Sequence, residues 1–332
     1  MTTDLQAMRG VIIEKNGGPE VLQYKTDLPV PEPKAGEVLV KNEYIGVNFI
    51  DTYFRTGLYA CPELPYILGR EASGRVVSAG PGDAHGLAAG DRVVWLGSGS
   101  YAEYSAVAAS HAIKTPAAVS SEAAAAAMFQ GLTALTLVRE AHRVEAGDWV
   151  LVHAAAGGVG LWLCQLLGAL GARVVATAST PEKLALAGRH GAEVLVRYTE
   201  EDVVAKVKEV TGGEGVAAVF DGVGKTTFDV SMECVRRKGS LVCFGNASGP
   251  VPPVNILRLM DKNVKLLRTN LARYITTRDE FQHYANELLE LMTKFNLDAR
   301  IHEIYPLAEI SRAHQDIESR KTSGKLLLKV EE

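Results

Sequence analysis

The stretch WVLVHAAAGGVGLWLCQLLGALG, Trp149 to Gly171, decides the fold. WVLVHA is a short apolar run of the length of a buried strand, and GVGLWLCQLLGALG is helix-like and ends on glycines. The turn between them is HAAAGGVG, His153 to Gly160. Its Ala155, Gly157 and Gly160 occupy the three positions of the pattern G-x-G-x-x-G, with alanine at the first. A glycine turn that closes a strand and opens a helix is the context in which this pattern holds a dinucleotide. Gly157 has no Cβ, so a pyrophosphate can approach the backbone, and Gly160 lets the helix pack tightly on the sheet. Ala156, Gly158 and Val159 complete the turn, and the helix start offers N–H groups and a positive dipole end. A turn that only packs is the bland alternative. It does not account for the strand and helix that follow at the right spacing.

Downstream, strand and helix alternate. RVVATA, EVLVRY, GVAAVFDGVG, GSLVCFG and VKLLR (Val264 to Arg268) read as strands, and PEKLALAGRHG as a short helix. TEEDVVAKVKEVTGG reads as a helix with Thr199 and Asp202 at capping-box spacing. This alternation means a parallel sheet covered on both faces, a doubly wound dinucleotide-type domain. Dinucleotide binders that prefer NAD carry an acid at the end of the second strand. Here that end is ATAST, Ala176 to Thr180, which has none. Ser179 and Thr180 are small donors, and Lys183 follows. Hydroxyls and an ammonium attract a 2′-phosphate where a carboxylate would repel it, so NADPH is favoured over NADH. An exposed helix lysine is the alternative reading of Lys183, and Glu182 would blunt the preference if it turned inward.

Upstream, from Met8 to about Ile113, Gly and Pro break the chain into short runs: MRGVII, EVLVKNEYIG, GRVVSAG, DRVVWLG and YAEYSAV. They predict a compact, largely β domain. PVPEPKAGE, Pro29 to Glu37, cannot be helix interior. SSEAAAAAMFQGLTALTLVREA, Ser120 to Ala141, is rich in helix formers, with Gly131 marking a break or a close contact. Thr277 and Glu280 have capping-box spacing ahead of a long amphipathic helix, and the terminal GKLLLKV is a strand expected to rejoin the first domain.

The chain has 332 residues and a net charge of −4, which favours two domains and speaks against a general nucleic-acid binder. The N-terminal MTTDLQAMRG has no apolar signal region, and no run of about 18 apolar residues exists, so a cytoplasmic protein is expected. Cys61, Cys164, Cys234 and Cys243 fall in no CxxC spacing and read as free thiols.

Together with HAAAGGVG, the segments GVNFIDTYFRTGLY (Gly46 to Tyr59), LGREASG (Leu68 to Gly74) and FGNASG (Phe244 to Gly249) resemble the quinone oxidoreductases of the zeta-crystallin group. These belong to the medium-chain dehydrogenase/reductase superfamily, and LGREASG is closest to fungal members. The resemblance runs from about Met8 to the C-terminus. It implies a discontinuous GroES-like substrate domain over residues 1–126 and 273–332, a Rossmann NADPH-binding domain over 127–272, and a cofactor cleft between them. It implies NADPH-dependent reduction of quinones or related enones, and a homodimer or tetramer. By resemblance, Asn48 and Asp51 lie near the nicotinamide end, and Tyr53 and Tyr59 line the substrate cleft. Thr133 contacts the cofactor from the head of the central helix, and Gly157 and Gly160 form the pyrophosphate turn. Lys183 and Tyr198 meet the 2′-phosphate, with Arg320 near it or its rim. Phe244 and Asn246 belong to a loop over the nicotinamide.

Alcohol dehydrogenases of the superfamily hold a catalytic zinc through Cys and His, and often a four-cysteine structural zinc. Here the family's Gly-His-Glu turn is Gly69-Arg70-Glu71, no cysteine lies between Cys61 and Cys164, and the eight histidines show no ligand spacing. No metal is expected. Quinones and enones need no Lewis acid, because the reduced anion is delocalised. Tyr53, Tyr59 and Asn48 are the candidate donors to the acceptor oxygen, with packing aromatics the alternative reading of the tyrosines. Asp51 reads as an orienting carboxylate rather than a base.

A 2-alkenal or enone reductase on the same fold is the second enzyme reading. A cofactor-binding protein with a structural or RNA-binding role is the third; the charge and the lack of an aromatic–basic motif disfavour it. The apolar edge strand VKLLR predicts pairing into a homodimer.

Overall fold

The structure is a computed structural model describing residues 6–331. The MTTDL that opens the N-terminal segment lies outside the described residues. The chain divides into two compact units, one of residues 6–129, 277–285 and 299–331, the other of 130–276 and 286–298.

The first unit opens with β1 (Ala7–Ile13), β2 (Gln23–Pro29) and β3 (Glu37–Val47), then the helix α1 (Phe49–Thr56). Next come β4 (Tyr66–Ile67), β5 (Glu71–Ala79), β6 (Arg92–Leu96), β7 (Tyr104–Ala108) and β8 (Ala112–Lys114). The alternating runs VLV and RVV put one face of β3 and β6 into a core around Val38, Val40, Trp95 and Tyr101.

The alanine-rich helix α2 (Ser121–Thr136) runs straight through Gly131. Gly131 is the close contact rather than the break. A Cβ there would stand 2.8 Å from Cδ2 of Leu288, so its absence lets the later helix pack against it. Thr133 accordingly lies near the end of α2, not at its head.

The second unit alternates strand and helix: β9 (Trp149–Val152), α3 (Gly158–Ala169), β10 (Arg173–Ala178), α4 (Pro181–Arg189), β11 (Val194–Arg197), α5 (Val203–Val210), β12 (Val216–Asp221), α6 (Phe228–Cys234), β13 (Val235–Cys243), β14 (Lys265–Arg268) and α7 (Leu271–Tyr274). Its six strands pair in parallel in the order β11-β10-β9-β12-β13-β14. This is the doubly wound order, and its switch point lies between β9 and β12. The Rossmann fold expected from the sequence is present, with VKLLR as its edge strand.

The capping box expected at Thr199 is absent. The helix starts at Val203, because Asp202 is itself the N-cap and its carboxylate accepts from Ala205 N–H at 3.0 Å. The second box is as expected. Glu280 accepts from Thr277 N–H at 2.9 Å, and Thr277 Oγ1 from Glu280 N–H at 3.3 Å, opening α8 (Arg278–Phe295).

The chain ends with β15 (Ile301–Pro306), α9 (Ile310–Glu318) and β16 (Lys325–Lys329). GKLLLKV does rejoin the first unit, for β16 pairs antiparallel with β3, Leu326 opposite Val47. Residues 286–298, expected with the first domain, cluster with the second unit, where Glu287 pairs with Arg139 at 2.7 Å.

Candidate functional site

In the second unit the turn HAAAGGVG leaves the C-terminal end of β9 at the switch point. Gly157 caps α3 and has no side chain, so the N-cap itself offers no acceptor to the first-turn N–H groups. A Cβ on Gly160 would fall 2.4 Å from Ala154 O, and one on Gly158 would fall 2.0 Å from Gln130 Oε1. Backbone thus demands glycine at position 160, whereas at position 158 the Gln130 side chain would have to move. Ala154 takes a left-handed φ of 50°, the strained residue of the turn. Behind it His153 is buried, with Nδ1 3.0 Å from Thr177 Oγ1. Burial pushes its imidazole below the ordinary value, so it stays neutral. His153 Nε2 has no partner among the described residues.

Ser179, Thr180 and Lys183 follow the end of β10. Thr180 is the N-cap of α4 and its Oγ1 accepts from Lys183 N–H at 3.3 Å, so this hydroxyl is partly committed to the helix. Burial pushes the Lys183 ammonium below its ordinary value. A phosphate beside it would favour the charged form again. Arg197, opposite Ala178 in register, donates from Nε to Ser179 O at 3.4 Å and pairs with Glu200 at 2.7 Å. It is a second cation beside Ser179. Tyr198 adjoins it and is half exposed.

Phe244 and Asn246 lie in the loop after β13. That loop is zipped to the one after β12 by Ser248 N–H to Val223 O at 2.8 Å and Lys225 N–H to Gly249 O at 3.1 Å. Asp221, fully buried at the end of β12, holds the second loop. It accepts from the N–H groups of Val223 at 2.8 Å and Gly224 at 3.1 Å, and from the Thr227 and Ser231 hydroxyls, each at 2.8 Å.

In the first unit the motif GVNFIDTYFRTGLY forms the end of β3 and α1. Asp51 accepts from Asn48 N–H at 2.8 Å, the capping box that starts the helix. Both Asn48 and Asp51 are buried. The Asn48 amide is turned inward: Nδ2 donates to Glu71 Oε1 at 2.8 Å, and Oδ1 accepts from Lys325 Nζ at 2.7 Å. Lys325 also pairs with Glu71, and Glu71 Oε2 accepts from Phe129 N–H at 2.7 Å. Among the described residues the Asn48 amide donates only to Glu71, which leaves its second hydrogen.

Burial lifts the Asp51 carboxyl to about 6, against the hydrogen bonds from Asn48 and Tyr101 and the charges of Arg70 and Lys325. A chain of donors runs toward it. Arg55 Nη1 lies 2.9 Å from His314 Nδ1, His314 Nε2 lies 3.1 Å from the Tyr101 hydroxyl, and that hydroxyl donates to Asp51 Oδ2 at 2.7 Å. Arg55 can only donate and Tyr101 has one hydrogen, so His314 is neutral with its proton on Nε2. Burial, reinforced by Arg55, pushes His314 down to about 3.

Tyr53 and Tyr59 meet edge to face at 5.2 Å between ring centroids, flanked by Phe49 and Phe54 at 5.7 and 5.6 Å. The structure thus brings Asn48, Asp51 and Tyr53 together at the start and along α1, with Tyr59 in the loop that follows its Gly57 cap. Arg320, also in this unit, follows α9 with a left-handed φ of 61°.

Residues 34–117 match the alcohol dehydrogenase GroES-like domain, and 158–292 the zinc-binding dehydrogenase domain. Quinone oxidoreductase 1 of Escherichia coli (strain K12) is 44% identical over 95% of this chain and 97% of its own length. A probable quinone oxidoreductase of Schizosaccharomyces pombe is 44% identical over 96% of each. The solved E. coli quinone oxidoreductase in complex with NADPH superimposes with a TM-score of 0.94 at 42% identity, over 97% of this chain and 99% of that one. The chain belongs to the quinone oxidoreductases of the medium-chain dehydrogenase/reductase superfamily.

The description of the second matched domain raises the question of zinc, and this quinone oxidoreductase's residues do not fit one. Arg70, a permanent cation, stands at the ligand-histidine position and is engaged with Phe54 and Ser98. Among the described residues no three His, Cys, Asp or Glu side chains gather as a ligand set. The turn before α3 does fit a dinucleotide, through first-turn N–H groups that the N-cap leaves without a side-chain acceptor and through Gly157, where a Cβ would meet only Ala154 O at 3.1 Å. Sequence reasoning missed Glu71, Lys325, Asp221, His314, Gln130 and Arg197. The visible signal was a charge inside an apolar strand: Glu71 in LGREASG, Asp221 in VAAVFD and Lys325 in GKLLLKV. His314 carried none.

Proposed function

We propose that this protein is an NADPH-dependent quinone reductase. The observation that carries the reading is the uncapped start of α3 after HAAAGGVG, with Lys183 and Arg197 in place of an acid beside the end of β10. When bound, NADPH supplies a hydride. The first-turn N–H groups at Gly158, Val159 and Gly160, with Ala156 and Gly157, hold the pyrophosphate. Ser179, Lys183 and Tyr198, with Arg320, hold the 2′-phosphate. Thr133, Phe244 and Asn246 in the second unit and Asn48 and Asp51 in the first keep the nicotinamide end in place. Tyr53, Tyr59 and the remaining Asn48 amide hydrogen donate toward the acceptor oxygen. Orientation does most of the work, because a quinone accepts hydride readily. The division into a substrate domain of residues 1–126 and 273–332 and a cofactor domain of 127–272 follows the two units closely, apart from residues 286–298, which cluster with the second.

We place the protein in the cytoplasm as a homodimer. Free Cys61, Cys164, Cys234 and Cys243 suit a reducing compartment. Among the described residues no helix is long and apolar enough to cross a membrane. The dimer is supported by β14 at the sheet edge and by Ile256, Leu257 and Met260, which are 75%, 65% and 66% exposed on the approach to it.

Steady-state rates with NADPH and NADH against a panel of quinones and 2-alkenals test the function. The expected result is NADPH preference with quinones as the best acceptors. Turnover of alkenals alone would move the assignment to an enone reductase.

A further inference from the structure

Arg70 has more to do than fill the position of a missing ligand. It follows Gly69, and its backbone is held by Gly97 N–H to Arg70 O at 2.9 Å. Its guanidinium carbon stacks 3.8 Å from the centroid of Phe54, and Nη1 donates to Ser98 Oγ at 2.6 Å. Phe54 in turn meets Tyr59, and Tyr59 meets Tyr53. Among the described residues Arg70 forms no ion pair, and its other N–H groups meet no protein acceptor. A stacked, anchored, partly buried cation at the rim of an aromatic cluster, which feels the Asp51 carboxyl but forms no salt bridge with it, suits an anionic oxygen.

We propose that Arg70 is a catalytic residue that pairs with the oxygen anion formed on the reduced acceptor. The inference rests on the quinone-reduction reading. In the step, a C–H bond of the dihydronicotinamide ring breaks and its hydrogen and both electrons pass to the quinone. One new bond to hydrogen forms there, and a full negative charge is left on the second oxygen. Arg70 holds that anion until water supplies the proton that completes the hydroquinone. Stacking and the Ser98 bond fix the guanidinium beforehand, so little reorganisation is needed as the charge develops.

The test measures kcat with phenanthrenequinone for Arg70→Ala and Arg70→Lys, NADPH affinity by fluorescence, and rescue of Arg70→Ala by millimolar guanidinium chloride. Removing one such donor is expected to lower kcat about 100-fold. NADPH affinity should be unchanged, the lysine variant should recover part of the loss, and added guanidinium should restore turnover. A kcat within about twofold of the wild type, measured against the size expected for such a donor, would overturn the proposal. So would a loss that neither lysine nor guanidinium repairs, since that marks a merely structural role. Wild-type protein that fails to reduce the quinone at all would instead contradict the functional reading.

Discussion

At Gly160 a single methyl group is decisive. Its Cβ would meet the backbone at Ala154 and Ala155, neither of which can rotate away. Gly160→Ala should therefore abolish measurable NADPH binding in a fluorescence titration, and should cost about 1–3 kcal/mol of stability by overpacking. Ala154 gives the converse case. Its left-handed φ favours glycine, so Ala154→Gly should raise stability by about 1 kcal/mol in urea unfolding. Lys183 tests the cofactor preference. Loss of one charge-assisted bond to a 2′-phosphate should weaken NADPH about 10- to 100-fold and leave NADH unchanged. Equal losses for both cofactors would place the lysine elsewhere. Replacing Tyr53 or Tyr59 by Phe should slow turnover without abolishing it. The glycine turn before α3 and the place of Lys183 after β10 could be read because both follow from spacing along the chain. Arg197 was not, because only the register of β10 against β11 brings it beside Ser179.

At the scale of elements, α1 is held by two buried groups from the far end of the chain, His314 of α9 and Lys325 of β16. The motif around Asn48 could be read from its own residues, but these partners lie more than 250 positions away, at sequence separations of 259 for Arg55–His314 and 277 for Asn48–Lys325. No local pattern announces them. The start of α5 was misplaced for a local reason, since Thr199 and Asp202 offered two competing caps and the carboxylate took the role. The link between α1 and α9 has a pH signature. Asp51 is raised from 3.8 to about 6, so its contribution to stability is full below 3.8 and is lost as pH rises through 6. His314 is lowered from 6.5 to about 3, so its contribution is full above 6.5 and is lost as pH falls. Between pH 7 and pH 5 the histidine costs about 2 kcal/mol and the aspartate returns about 1.4 kcal/mol. His314→Gln removes only the first of these. Its stability deficit against the wild type, from urea unfolding, should shrink by about 2 kcal/mol between the two pH values. An unchanged deficit would mean that His314 does not titrate from a buried neutral state.

For the whole molecule, the fold class could be read from the alternation of strand and helix and from GKLLLKV returning to β3. The division at the C-terminal side could not, because α8 has one amphipathic pattern throughout while its two ends cluster with different units. Association belongs to this scale. Light scattering at micromolar concentration should give twice the mass of one chain, and Met260→Glu should shift it toward the monomer. The activity proposed for the molecule is hydride passing from NADPH to a quinone. Its most direct test is a single turnover, in which protein loaded with one equivalent of NADPH is mixed with phenanthrenequinone and the nicotinamide fluorescence is followed. Rapid loss of fluorescence with formation of an equal amount of hydroquinone is the predicted result. Bound NADPH whose fluorescence persists in the presence of the quinone would contradict the account.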